Sequence, residues 1–308
     1  MTTNAIQSSH IYSTYFAPRG RSRIYTLGMQ IAQLYLSPFD QIIGFIGEAG
    51  SGKSVLIKGM FPGIELTNDD DGVNVRPLPL LEQEYETGFF TPHTYHLDIR
   101  FETGFHQLSE LADAVQLAVR RGKRIIIEHF DLIYPLLGVN ANLLIGVGEQ
   151  IVITRPNLFG PLPQELCDIV YPSLAYRLMA HSAEDLCEYA MTQEQMLACS
   201  HGDIRHGFVL EFNEHQPDID IPALEARVNE LIRADLPIDY YDESHILLGG
   251  VQHYCTGPRT HVRSTGRIIG FRLLDHFIYD HFHKTYMLVG CVGDDSEENI
   301  RKLEKIHG

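Results

Sequence analysis

Eight consecutive residues, Gly47, Glu48, Ala49, Gly50, Ser51, Gly52, Lys53 and Ser54, have the types and spacing to hold a phosphate chain. Small residues let successive backbone N–H groups turn toward an anion. A helix starting near Gly52 aims its positive end at the same place. The pattern puts Lys53 on the outer phosphates and the Ser54 hydroxyl on Mg²⁺, so ATP or ADP with Mg²⁺ is the expected ligand. Two acids are candidates for the metal and water side. Glu128 closes the apolar run Ile125, Ile126, Ile127, and Asp98 ends His96, Leu97, Asp98. A carboxylate there orients a water or holds Mg²⁺ through its shell, while the plainer reading of either is a strand-end surface acid.

Elements must position these groups. The run 41–47 reads as a buried strand, 24–36 and 53–60 as helices, and the latter ends before Pro62. Residues 108–121 have amphipathic helical spacing, and 124–130 and 150–154 read as further buried strands. Strand-like and helix-like segments alternating in this way predict a parallel α/β layer. Asn68 to Gly72 is an acidic turn, read as a solvated loop. The Pro-rich piece 155–163 breaks helix and strand alike, so the expected domains are 1–165 and 166–308.

Thr26-Leu-Gly28, the glycine loop, Lys58-Gly-Met60, the segment 95–100 and the segment 127–131 together resemble the P-loop ATPase of the bacterial threonylcarbamoyl-adenosine tRNA-modification system. The resemblance implies an α/β P-loop domain with a parallel sheet, with Lys53 and Ser54 on phosphate and Mg²⁺ and with Asp98 and Glu128 on the metal and water side. Ser54 in place of Thr, and His129-Phe130 in place of Trp-Pro, depart from that family. Uridine-kinase-like proteins are a looser match.

In the second half, helical spacing covers 174–187 and 221–234, with Pro222 in a first turn, and the charged tail 294–306 reads as a helix. The segments 209–212, 251–254, 267–274 and 286–292 read as strands. The run 251–272, with Arg177 to Leu186 and His206 to Phe212 upstream, is similar to the α+β editing-type second domain of threonyl- and alanyl-tRNA synthetases. That similarity implies a pocket lined by His181, Cys255 and His261, often built around Zn²⁺. Asp185 stands where the family has a second His, and Arg259-Thr260 is an insertion before His261. Positions i and i+4 share a helix face and a carboxylate can ligate Zn²⁺, so His181, Asp185, Cys255 and His261 form a candidate metal quartet. The alternative is a retained fold in which His181 is a satisfied core imidazole. Cys187 and Cys199 are read as core residues, and His276, His281 and His283 as a surface cluster. Arg259, Arg263, Arg267 and Arg272 form a basic strip, read either as contacts for tRNA phosphates or as a solvated face.

Composition limits the partners. Lys+Arg 24 against Asp+Glu 40 gives a net charge of −16, which argues against coating nucleic acid or membrane through the overall field. No stretch is apolar enough to span a bilayer, and the sequence shows no secretory signal. Five cysteines at irregular spacing are expected as free thiols in a cytoplasm. The leading functional expectation is ATP hydrolysis or phosphoryl transfer coupled to an amino-acid- or aminoacyl-tRNA-related pocket. A small-molecule kinase and a non-enzymatic, nucleotide-controlled switch binding tRNA or a protein are the alternatives.

Overall fold

The apolar runs of the first half become buried strands of one sheet. The computed structural model describes residues 12–67, 80, 93–213 and 215–307, and the acidic turn expected at 68–72 lies outside them. The sheet contains β1 (Tyr12–Phe16), β2 (Ile42–Ile46), β3 (Thr94–Asp98), β4 (Arg124–Glu128), β5 (Leu143–Val147) and β6 (Gln150–Thr154). Its order is β1-β6-β5-β2-β4-β3. Strands β3, β4, β2 and β5 run parallel, whereas β6 is antiparallel to β5 and β1 antiparallel to β6. The sheet is therefore mixed, which corrects the expected parallel P-loop sheet. The physical reason is the connection after Val147: Gly148 and Glu149 alone join β5 to β6, and a parallel return needs a crossover of roughly a dozen residues.

Alternation along the central strands covers both faces. Ile125 and Ile127 enter one core with Ile42, Ile46 and Leu97, while Ile126 enters another with Ile43, Phe45 and Ile145. All of these except Ile42 are essentially fully buried, each contributing roughly 1.5–3 kcal/mol of transfer free energy. Helices α1 (Arg21–Tyr35) and α2 (Lys53–Met60) supply Ile24, Ile31, Leu56 and Ile57 to the second core. Their backbones approach so closely that a Cβ on Gly59 would lie 2.2 Å from the Tyr25 carbonyl oxygen, and one on Gly28 2.5 Å from that of Leu56. Packing alone thus accounts for two glycines of the motifs around the loop. The helices α3 (Ile99–Glu102), α4 (Leu108–Arg120) and α5 (Phe130–Leu137) complete this half.

The chain divides into two units, the first ending at Pro172 and the second running from Ser173 and including Pro18–Gly20. Helix α6 (Pro163–Ala190) runs continuously through residue 172, beyond the sequence-based boundary at 165/166. The second unit has an antiparallel sheet of β9 (Ile238–Asp242), β10 (His245–Leu248) and β11 (Val251–Tyr254). Its other sheet, also antiparallel, takes β7 (Cys199–Ile204), β8 (Gly207–Asn213), β12 (Arg272–Leu273), β13 (Ile278–Asp280) and β14 (Thr285–Cys291). Helices α7 (Gln193–Ala198), α8 (Ile221–Arg233) and α9 (Ser296–His307) join them. The Asp220 carboxylate caps α8 by accepting from the Ala223 amide, with Pro222 in the first turn as its fixed φ favours. The strand expected over 267–274 shrinks to Arg272–Leu273. Thr265–Arg267 instead forms a 3₁₀ turn, pinned by the Thr265 hydroxyl, which donates to Leu231 O and accepts from Leu236 N. No helix among the described residues is long and apolar enough to cross a membrane.

Candidate functional site

In the first unit the loop follows buried β2 and opens α2. Gly47, at φ 154° and with a would-be Cβ 2.5 Å from the Val147 carbonyl oxygen, tolerates no side chain. The Lys53 ammonium is buried, donating to the carbonyls of Gly47 and Glu48 at 3.0 Å each, and lies 3.6 Å from Glu128. Burial lowers its pKa, and the charges of Glu128 and Asp98 oppose that shift. Ser54 Oγ donates to Glu128 Oε1 at 3.1 Å. The loop residues and Glu128 named from the sequence therefore meet at one point.

His96 joins them. The Thr67 amide donates to His96 Nδ1 at 3.1 Å, so the ring proton sits on Nε2 and points at Glu128 Oε1, 3.2 Å away. Burial opposes ionisation of Glu128, yet the His96 hydrogen bond and the Lys53 charge outweigh it and hold its pKa down at about 2. Glu128 is thus a fixed anion and a weak base. Asp98 caps α3, accepting from the Phe101 amide, and also offers an oxygen within 4.8 Å of donor atoms of Glu128 and His129. His129 begins α5 at φ 57°, and its buried Nδ1 has no hydrogen-bond partner among the described residues. Burial and the Lys53 charge lower its pKa to about 4, leaving a neutral imidazole at pH 7. At the rim, Arg100 makes a two-point pair with Glu48 of the loop, at 2.9 and 3.3 Å.

Glu128 also makes a pH prediction. Its folded pKa lies below the ordinary 4.5, so its stabilising contribution is present above about pH 4.5 and lost as pH falls toward 2. Denaturant titrations between pH 4.5 and 2 should show a shallower acid-side loss of stability in Glu128→Gln than in the wild type. Equal slopes would refute this assignment.

In the second unit, α6 and the chain after β11 bring the predicted quartet together. His181 Nε2 and His261 Nε2 each lie 3.2 Å from Cys255 Sγ, and Asp185 oxygens lie 3.7 and 3.5 Å from the two imidazoles. Ser182 donates to Leu178 O and accepts from the Val262 amide, so His261 Nδ1–H is the donor in its 3.3 Å contact with Ser182 Oγ. That tautomer turns the Nε2 lone pair of His261 toward Cys255, as a metal ligand requires. Burial and the Glu188 charge raise the Asp185 pKa to about 8, and burial with Asp185 pushes the Cys255 thiol up. Burial, helped by Arg19, lowers His261 to about 3. Arg19 itself pairs with Glu184 and Asp203. Asp185 Oδ2 and His181 Nδ1 are buried and make no hydrogen bond among the described residues.

The other expected groups separate. Arg272 pairs with Glu225 and Glu297, while Arg259 pairs with Glu243 and lies over Tyr240. His276 and His283 are exposed, bonded to Asp275 and Asp280. Cys187 is core, but Cys199 is only partly buried and lies beside Glu188 and His201, a group the sequence reading missed. The available signal was Cys-x-His on one strand and a carboxylate seven residues after His181 on one helix face.

No family model matches the chain, and no curated protein matches it. Among solved structures, the chain is similar to an amino transferase from Eubacterium rectale, at 12% identity over 100% of this chain and 76% of that one, with a TM-score of 0.22. At that score the likeness carries no argument about fold or activity. That no family model and no curated protein matches, together with the mixed sheet of the first unit, overturns both resemblances read from the sequence, to the tRNA-modification ATPase or uridine kinases and to the synthetase editing domain.

Proposed function

We propose that the first unit binds the phosphates of ATP or ADP with Mg²⁺ and supports hydrolysis or transfer of the outer phosphoryl group. The observation that carries this reading is the convergence of Lys53, Ser54 and Glu128 at the mouth of a glycine loop on a helix N-terminus. The donor set suits the group: loop amides and an ammonium for phosphate, and a hydroxyl and carboxylates for a hard cation. Mg²⁺ would supply charge neutralisation of the phosphates. Lys53 adds a fixed positive charge, and Ser54 with Glu128 and Asp98 holds the metal side. With a pKa near 2, Glu128 orients water or metal ligands rather than accepting a proton. His129, neutral at pH 7, offers a ring nitrogen within 4.8 Å of Glu128 and Asp98. Thermal denaturation tests the reading: Mg·ATP should raise the melting temperature and adenosine should not. Equal responses to the two would reject it.

For the second unit the reading is Zn²⁺ held by His181, Asp185, Cys255 and His261. Four protein donors of this kind fill a tetrahedral shell, so zinc here would cross-link α6 to the chain after β11 rather than offer an open position to a substrate. The free thiols support the cytoplasmic placement.

A further inference from the structure

Helix α6 carries a third acid on the face that presents His181 and Asp185. Glu188 lies seven residues beyond His181, two helical turns along the same stripe. Its Oε1 contacts His201 Nε2 and lies 3.7 Å from Cys199 Sγ. Cys199 and His201 alternate on β7, so both side chains leave the same face of that strand. One donor atom from each of the three lies within 4.8 Å of the others. Thiolate, imidazole and carboxylate are a borderline-soft set, suited to Zn²⁺ rather than Mg²⁺ or Ca²⁺.

A buried imidazole lies near the same stretch of helix α6. His253 on β11 is about nine-tenths buried, and its Nε2 has no hydrogen-bond partner among the described residues. Its ring meets Tyr189, the residue after Glu188, edge-on at 5.8 Å. A buried imidazole nitrogen without a partner is costly unless something polar meets it.

We infer that Glu188, Cys199 and His201 form a second Zn²⁺ site, with three protein ligands and a fourth position open to water. Unlike the quartet, this group is only partly buried: His201 is 26% exposed at its side chain, giving an ion a way in and out. Three ligands with access to solvent make an exchangeable site, whereas four buried ligands make a slow one. The two readings are independent, since no residue is shared.

Stoichiometry separates them. Chelator-treated wild-type chain titrated with Zn²⁺ should take up two equivalents. Cys199→Ser and His201→Ala should each take up one, as should Cys255→Ser, which disables the quartet instead. With Co²⁺ in place of Zn²⁺, the thiolate-to-metal absorption should fall by about half in Cys199→Ser. Glu188→Gln, which keeps the side-chain volume, should weaken the exchangeable equivalent without lowering the melting temperature of the metal-free protein. Uptake and Co²⁺ absorption unchanged in both Cys199→Ser and His201→Ala would overturn the site. So would a single wild-type equivalent that Cys255→Ser alone removes. A single equivalent lost in Cys199→Ser and kept in Cys255→Ser would uphold it and reject the quartet.

Discussion

Lys53→Ala should abolish the rise in melting temperature that Mg·ATP produces. A ligand at about a hundred times its Kd stabilises the folded state by about 2.7 kcal/mol, which for a chain of 308 residues shifts the transition by roughly 4 °C. On the proposed reading Lys53 would be the charge facing the phosphates; it is held between two loop carbonyls and 3.6 Å from Glu128. Removing it deletes that attraction and leaves the buried Glu128 carboxylate facing the same phosphates. The variant should also be less stable without ligand, because breaking one side of a buried ion pair costs on the order of 3–5 kcal/mol. The readout is therefore the ligand-dependent shift, not the melting temperature itself. Lys53→Ala combined with Glu128→Gln removes the stranded charge and should recover part of the stability while leaving the shift absent. A full shift in Lys53→Ala would end the nucleotide reading.

Local patterns carried the loop, because its chemistry is written in consecutive residues flanked by an apolar run and a helical period. Glu128 was legible for a similar reason, as a polar residue closing three buried isoleucines. Its partner His96 was not, since β3 and β4 become neighbours only through the parallel register that sets Asp98 opposite Glu128. Strand direction was the larger loss. Period-two hydrophobicity says which face is buried and nothing about which way a strand runs. Direction is set by the two residues between β5 and β6, too few for a crossover, and the sequence reading does not assign 143–147 as a strand. The edge strand β1 alternates exposed and half-buried residues and carries no strong apolar signal.

Helix α6 teaches the same lesson about breakers. Pro172 removes one backbone donor, and the helix continues through it because the flanking turns are held by burial of Leu166 and Val170 on one side and Ala180 and Ala183 on the other. Reading a stop before residue 174 shortened the element that carries His181, Asp185 and Glu188 together. Cys199 reads as core when no His is recognised at ligand spacing, yet on a strand i and i+2 share a face as i and i+4 do on a helix, and that brings His201 beside it.

Cys255→Ser should strip the quartet of its metal. The thiolate is the strongest Zn²⁺ donor of the four, and a hydroxyl does not deprotonate to replace it. Loss of a direct ligand should weaken binding by at least about 100-fold, more than the loss of an outer partner does. Protein purified without chelators should therefore lose that equivalent in the variant and melt earlier, since a cross-link from α6 to the chain after β11 is gone. Acid should act in the same direction on the wild type. Burial raises Cys255 and brings Asp185 to about 8, so both ligands must shed protons when the ion binds, and affinity falls as pH drops. Proton release on Zn²⁺ addition, measured in weakly buffered solution near pH 7, should thus be larger by about two protons per chain in the wild type than in Cys255→Ser. Asp185→His should keep the ion and release one proton fewer, because a neutral imidazole replaces a protonated acid on the same helix face. Wild-type protein in which Cys255→Ser changes neither metal content nor proton release would reject the quartet, and the four residues would then stand as a buried, uncharged polar cluster closed by Ser182.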